Sequence, residues 1–133
     1  MNKNKKIALL GCGNWGKNIA RNLSNLECLS CIYDLNKNVS DQLNKNYGLH
    51  KLSIDEIIKS KEIDAVVIAS SAITHKDLAK KALLNNKDVL IEKPFCLSLS
   101  DANDLSKLAI EKEKILMVGH LLNYHNAFIK MKK

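Results

Sequence analysis

Three groups of residues have types and spacing suited to chemistry. Gly11-Cys12-Gly13-Asn14-Trp15-Gly16 places its glycines as Gly-x-Gly-x-x-Gly, Asp34 follows about twenty positions later, and Lys93 stands between Glu92 and Pro94. In such a loop the first glycine turns the chain sharply and the second lets backbone approach a pyrophosphate. The third lets a helix pack closely on a strand. The amides opening that helix face the anion, with the helix dipole behind them. Asp34 can accept both hydroxyls of an adenosine ribose. A 2′-phosphate there would meet like charge with no arginine nearby, so the pattern predicts NAD rather than NADP. Lys93 offers proton chemistry. An ammonium in a proline-stiffened turn can hydrogen-bond a substrate hydroxyl and help it lose its proton as hydride leaves. Equally, Lys93 reads as a surface lysine paired with Glu92.

The histidines and cysteines say less. His75 reads either as a contact to cofactor or substrate or as an ordinary first-turn helix residue, and His120 and His125 are equally open. Cys28 and Cys31 form a C-x-x-C, but within a predicted strand side chains three apart point to opposite faces. A structural zinc would also need a second ligand pair, which the sequence lacks, so no metal is expected. All four cysteines, with Cys12 and Cys96, are expected to be reduced and mostly buried thiols.

Strand and helix patterns alternate, which predicts a doubly wound α/β domain with a mainly parallel sheet and helices on both faces. Strands are predicted at 7–10, 28–33, 64–69, 88–92 and 115–119, with a short extended piece at 49–52. The glycine loop leads into a helix from Lys17, and a second helix spans Asn36 to Tyr47 before Gly48. Capping boxes are expected at Ser53–Glu56, Thr74–Asp77 and Ser98–Asp101. The last helix opens near Tyr124. In an open α/β sheet, ligands lie beyond the carboxyl ends of the strands. That places Gly11 to Gly16, Asp34, Ser70, Ser71, His75, Glu92-Lys93-Pro94 and His120 together.

A chain of 133 residues, 46% hydrophobic, suits one domain with a real core and has no apolar run long enough to span a membrane. The basic N-terminus is followed only by Ile7 to Leu10, a strand rather than a signal sequence, so a cytoplasmic location is expected. Net charge is +7, yet the lysines are scattered, Arg21 is the sole arginine, and no aromatics interleave a basic stripe. This speaks against a nucleic-acid partner and leaves a modest field that attracts anionic ligands.

Taken together, the glycine loop through Lys17-Asn18, Asp64 to Ala69 with Thr74-His75, Glu92-Lys93-Pro94 and Gly119-His120-Leu121-Leu122-Asn123-Tyr124-His125 resemble one group. It is the N-terminal Rossmann domain of the glucose–fructose oxidoreductase/inositol dehydrogenase (Gfo/Idh/MocA) family. Glu-Lys-Pro after the fifth strand sets methyltransferases aside. The glycine loop and the Gly-His-Leu-Leu-x-Tyr-His run most resemble NAD-dependent nucleotide-sugar 3-dehydrogenases that act on UDP-N-acetylglucosamine derivatives for cell-surface glycans. The resemblance implies that Lys93 is the active-site lysine and that Glu92 and Pro94 shape the nicotinamide pocket. It further implies that Gly11, Gly13 and Gly16 hold the pyrophosphate with Asn14 and Trp15 along that turn, and that Asp34 holds the ribose; from their place at the strand ends, Ser70, Ser71 and His75 are also expected to border the cofactor.

Ser71 and Asn126 stand where the family commonly has proline, which is expected to loosen two loops. The family's second α/β domain binds the sugar, supplies a catalytic histidine and builds the homo-oligomer. Residues 1–120 therefore read as the cofactor domain and 121–133 as the start of the connection, with the second domain absent. The rival readings are a non-catalytic NAD-binding module, the remnant of a truncated gene, or an interaction protein that kept only the fold.

Overall fold

The computed structural model describes residues 4–132. Five strands, β1 (Ile7–Leu10), β2 (Leu29–Tyr33), β3 (Ala65–Ile68), β4 (Asp88–Ile91) and β5 (Leu116–Val118), form one sheet in the order β2-β1-β3-β4-β5. Every neighbouring pair is parallel. The intervening helices are α1 (Asn14–Asn25), α2 (Lys37–Asn46), α3 (Ile54–Lys59), α4 (Ala72–Leu84) and α5 (Leu99–Glu111). A 3₁₀ turn at Leu121–Tyr124 and helix α6 (Asn126–Met131) follow β5.

The strands are apolar on both faces because helices cover both. Leu9, Ile32 and Val67 pack with Ala20 of α1 and with Val39, Leu43 and Tyr47 on and after α2. On the other face Leu10, Val66, Ile68, Val89 and Ile91 pack with Ile57 of α3, Leu83 of α4 and Leu105 of α5. Side chains such as Leu9, Ile68 and Ile91 are wholly buried, each stabilising the fold by about 1.5–3 kcal/mol.

Helix α1 begins at Asn14, three residues before the expected Lys17, so Gly16 lies in its first turn. The capping box at Ser53 and Glu56 forms in both directions. The one expected at Thr74 does not. Ser71 occupies the N-cap of α4, and the Thr74 hydroxyl donates to the Ser71 carbonyl at 2.8 Å. Ser71 sits at φ −66°, a value proline also adopts, so the backbone here has the shape that the family's proline would give it. At Ser98 only half a box is made. Its hydroxyl accepts from the Asp101 amide, and the Asp101 carboxylate pairs with Lys76 instead.

Residues 49–52 add no strand, so Glu92 follows the fourth strand and not the fifth. The reason lies in α2. The Asn44 side chain, 2% exposed, accepts the Ile32 N–H at 3.0 Å and donates to the Ile32 carbonyl at 2.7 Å. One amide side chain thus occupies the outer margin of β2 where another strand would pair.

Candidate functional site

Five parallel strands bring five loops to one edge of the sheet. Connections leave β1 in opposite directions, through α1 to β2 and later across to β3, so a crevice opens between the ends of β1 and β3. Two cavities lie along this edge. One of about 310 Å³ is bordered by Gly11, Gly13, Asp34, Ser70 and Ser71, among others. The second, about 710 Å³, is bordered by Trp15, Ala69, Ser70, Glu92, Lys93 and His120, with Leu121, Leu122 and Phe128 closing its far side. Ala69 and Ser70 belong to both walls.

The three glycines are there for different reasons. Gly11 sits at φ +100°, and a Cβ there would lie 2.5 Å from the Ser70 nitrogen. A Cβ on Gly16 would collide with the Gly11 carbonyl oxygen. Protein packing explains both. Gly13 is exposed, and an added Cβ would meet nothing within 4 Å. The protein gives no reason for a glycine at 13, whereas a closely approaching ligand does. Gly13 also caps α1 without a side-chain hydrogen bond, which leaves the amides of Asn14, Trp15 and Gly16 open at the positive end of the helix. That cradle fits a pyrophosphate.

Asp34 is fixed rather than free. Its Oδ2 accepts the Cys12 N–H at 2.7 Å and its Oδ1 accepts the Asn36 N–H at 2.8 Å. A carboxylate has about four acceptor positions, so each oxygen keeps one for a ribose hydroxyl. Burial first, and then the Asp34 charge, push the Cys12 thiol up to about 12.

Around the larger cavity the pairing differs from the sequence expectation. Glu92 does not pair with Lys93. Its Oε1 accepts the indole N–H of Trp15 at 2.8 Å, and its Oε2 accepts the Lys93 backbone N–H at 3.3 Å. The Lys93 ammonium is exposed and has no hydrogen-bond or ion-pair partner among the described residues. Gly119 has a task that its sequence position, the end of a strand, does not announce. A Cβ there would come within 2.8 Å of Glu92 Oε1, so the glycine makes room for the carboxylate.

His75 borders neither cavity. It is 1% exposed on α4, with Nδ1 2.8 Å from the Pro94 carbonyl and Nε2 3.0 Å from the Ser70 carbonyl. The ring lies between the loop carrying Lys93 and the loop after β3, with a backbone carbonyl at each nitrogen. His125 caps α6 through Nδ1, and His120 is exposed at the cavity wall. Buried Lys87, silent in the sequence, donates to the carbonyls of Ser60 and Ile63 at 2.6 and 2.8 Å. Burial lowers its pKa from the ordinary lysine value. Cys31 lies in the core and the Cys28 thiol contacts the Leu23 carbonyl, so the C-x-x-C has no shared site.

A glycine loop at the crossover, an open helix N-terminus and a fixed acid on the next strand define a dinucleotide-binding α/β domain. Residues 5–120 match GFO_IDH_MocA, the oxidoreductase family with an NAD-binding Rossmann fold, and the chain belongs to that family. NAD is its cofactor.

Among its relatives, 2,7-anhydro-N-acetylneuraminate hydratase of Escherichia coli is 32% identical over 89% of this chain and 32% of that protein. The scyllo-inositol 2-dehydrogenase (NAD(+)) of Bacillus subtilis is 32% identical over 96% of this chain and 39% of that protein. The solved UDP-N-acetylglucosamine 3-dehydrogenase of Acidithiobacillus ferrooxidans superposes with a TM-score of 0.87 at 26% identity, over 96% of this chain and 42% of that one. The chain thus spans between 32% and 42% of the length of these relatives. No helix among the described residues is long and apolar enough to cross a membrane.

Proposed function

We propose that this chain is the cofactor half of a cytoplasmic dehydrogenase that oxidises a sugar hydroxyl, at C3 of a UDP-N-acetylglucosamine-type sugar. On this reading residues 1–120 hold NAD, and 121–133 lead into a substrate-binding region through which subunits assemble. The observation that carries it is the unpaired Lys93 ammonium in the wall of the 710 Å³ cavity, next to the shared Ala69–Ser70 wall. Likeness to the solved UDP-N-acetylglucosamine 3-dehydrogenase supports the choice of sugar.

Bound NAD supplies the hydride acceptor. The amides of Asn14, Trp15 and Gly16 bind the pyrophosphate beside the open backbone of Gly13, and Asp34 accepts from the adenosine ribose. Gly11 and Gly16 hold the loop in shape. Ser70 borders both halves of the site and Ser71 the smaller one. Pro94 and His75 position the turn that carries Lys93, whose Nζ donates to the substrate hydroxyl oxygen and stabilises its negative charge as the proton passes to a base in the substrate-binding region.

The test uses a polypeptide of the relatives' length that carries this chain, with UDP-N-acetylglucosamine and NAD, following reduced nicotinamide by absorbance. Lys93→Ala is expected to lower kcat by about 10²–10⁴-fold while NAD binding persists. Unchanged turnover removes Lys93 from the mechanism. NAD binding with no turnover of any sugar favours the non-catalytic module.

A further inference from the structure

Among the described residues Glu92 is the one carboxylate bordering the larger cavity, and it forms no ion pair there, although the Lys93 ammonium stands in the same wall. Its two donors among the described residues, the Trp15 indole N–H at 2.8 Å and the Lys93 backbone N–H at 3.3 Å, are both neutral. The ion pairs Lys5–Asp64, Lys6–Glu62, Lys51–Asp41 and Lys76–Asp101 all lie elsewhere. The carboxylate is also seated against Gly119, which leaves it little room to swing away. A lysine or arginine at position 15 would hold Glu92 equally well and cancel its charge. A tryptophan holds it and leaves the charge in place.

We propose that Glu92 tunes the bound cofactor, its fixed negative charge making this site favour the oxidised nicotinamide over the reduced one. The inference rests on the reading above that the nicotinamide end of NAD occupies the larger cavity. The oxidised ring carries a positive charge and the reduced ring carries none, so a fixed anion in the wall attracts only the oxidised form. By linkage, the bound couple becomes a stronger hydride donor than it would be beside a neutral wall. A sugar oxidation needs the oxidised cofactor in place before substrate arrives, and Glu92 biases the site to that state.

Dissociation constants for NAD+ and NADH are measured on the 133-residue chain and two variants. NADH is followed by its own fluorescence and NAD+ by displacement of NADH, so neither signal depends on Trp15. Glu92→Gln keeps the side chain's volume and its acceptor for the Trp15 N–H while removing the charge. In it the ratio Kd(NAD+)/Kd(NADH) is expected to rise about three- to tenfold, the size of a single charge in a half-exposed wall. Added salt should shrink that rise. Trp15→Phe keeps the charge but releases it, and should move the ratio less.

An unchanged ratio in Glu92→Gln overturns the inference, as does an equal loss of both affinities, which would make Glu92 a structural support. Failure of the unaltered chain to bind either cofactor is a separate result and overturns the cofactor site itself.

Discussion

Gly11→Ala and Gly13→Ala separate folding from binding, because the structure assigns the two glycines different tasks. At Gly11 an alanine Cβ would lie 2.5 Å from the Ser70 nitrogen and 2.6 Å from the Ala69 carbonyl carbon, at a φ of +100°. Backbone cannot yield as a flexible side chain does, and the dihedral is unfavourable besides. The two effects together cost about 3 kcal/mol or more, a fall in Tm of roughly 10 °C for a domain of this size. At Gly13 the same methyl enters open space at φ −61°. Stability should change by less than about 1 kcal/mol, with a small gain from the stiffer unfolded chain.

NAD affinity is a different matter. A methyl at 13 would hold the pyrophosphate off the amides, weakening one or two charge-assisted hydrogen bonds of about 1.5–3 kcal/mol each. The loss is roughly 10- to 100-fold in Kd. Thermal melts and NAD titrations of both variants give the answer. A Gly13→Ala chain that folds and binds NAD as well as the unaltered one would refute the assignment of this loop to the pyrophosphate.

Two further predictions concern stability. Asn44→Leu keeps the volume but strips both partners from the Ile32 backbone, so urea unfolding should show a loss of about 2–4 kcal/mol; a loss under 1 kcal/mol would mean water replaces the amide. Burial raises Cys12 and Cys31 from 9.0 to about 12, so between those values the unfolded chain ionises thiols that the native chain keeps protonated. Stability due to these groups is full below pH 9 and falls as pH rises, by about 2 kcal/mol for the pair between pH 9 and 10. Replacing both with alanine should flatten that part of the curve in denaturant titrations, and an unchanged slope would place the titration elsewhere.

Much of this molecule is legible in its sequence because the informative features are local. A Gly-x-Gly-x-x-Gly turn, a run such as Ala65-Val66-Val67-Ile68 and the box at Ser53–Glu56 each report on neighbours a few residues away. What the sequence hides is long-range pairing. Glu92 looks like the partner of adjacent Lys93, yet its oxygen goes to Trp15, 77 positions away. His75 looks like one more polar residue at a helix start, because nothing local shows that Pro94 and Ser70 close over it. Thr74 resembles an N-cap in its spacing, but the chain turns helical earlier, at Ala72. Asn44 gives the one missed hint. An amide on the apolar side of α2, one residue after buried-face Leu43, needs a buried hydrogen-bond partner, and the margin of β2 supplies it.

That same amide gives the sheet two unlike borders. An exposed strand edge is a template for pairing with other chains, and proteins commonly blunt it. Beyond β2 the template is spoiled, since Asn44 already occupies the backbone groups of Ile32 and α2 lies across the way. At β5 no strand lies beyond Leu116–Val118 among the described residues, and the adjoining Ile115 and Met117 are exposed. Of the two borders the β5 side is therefore the more open, and it is the side on which a strand of a second molecule would dock with its ladder uninterrupted.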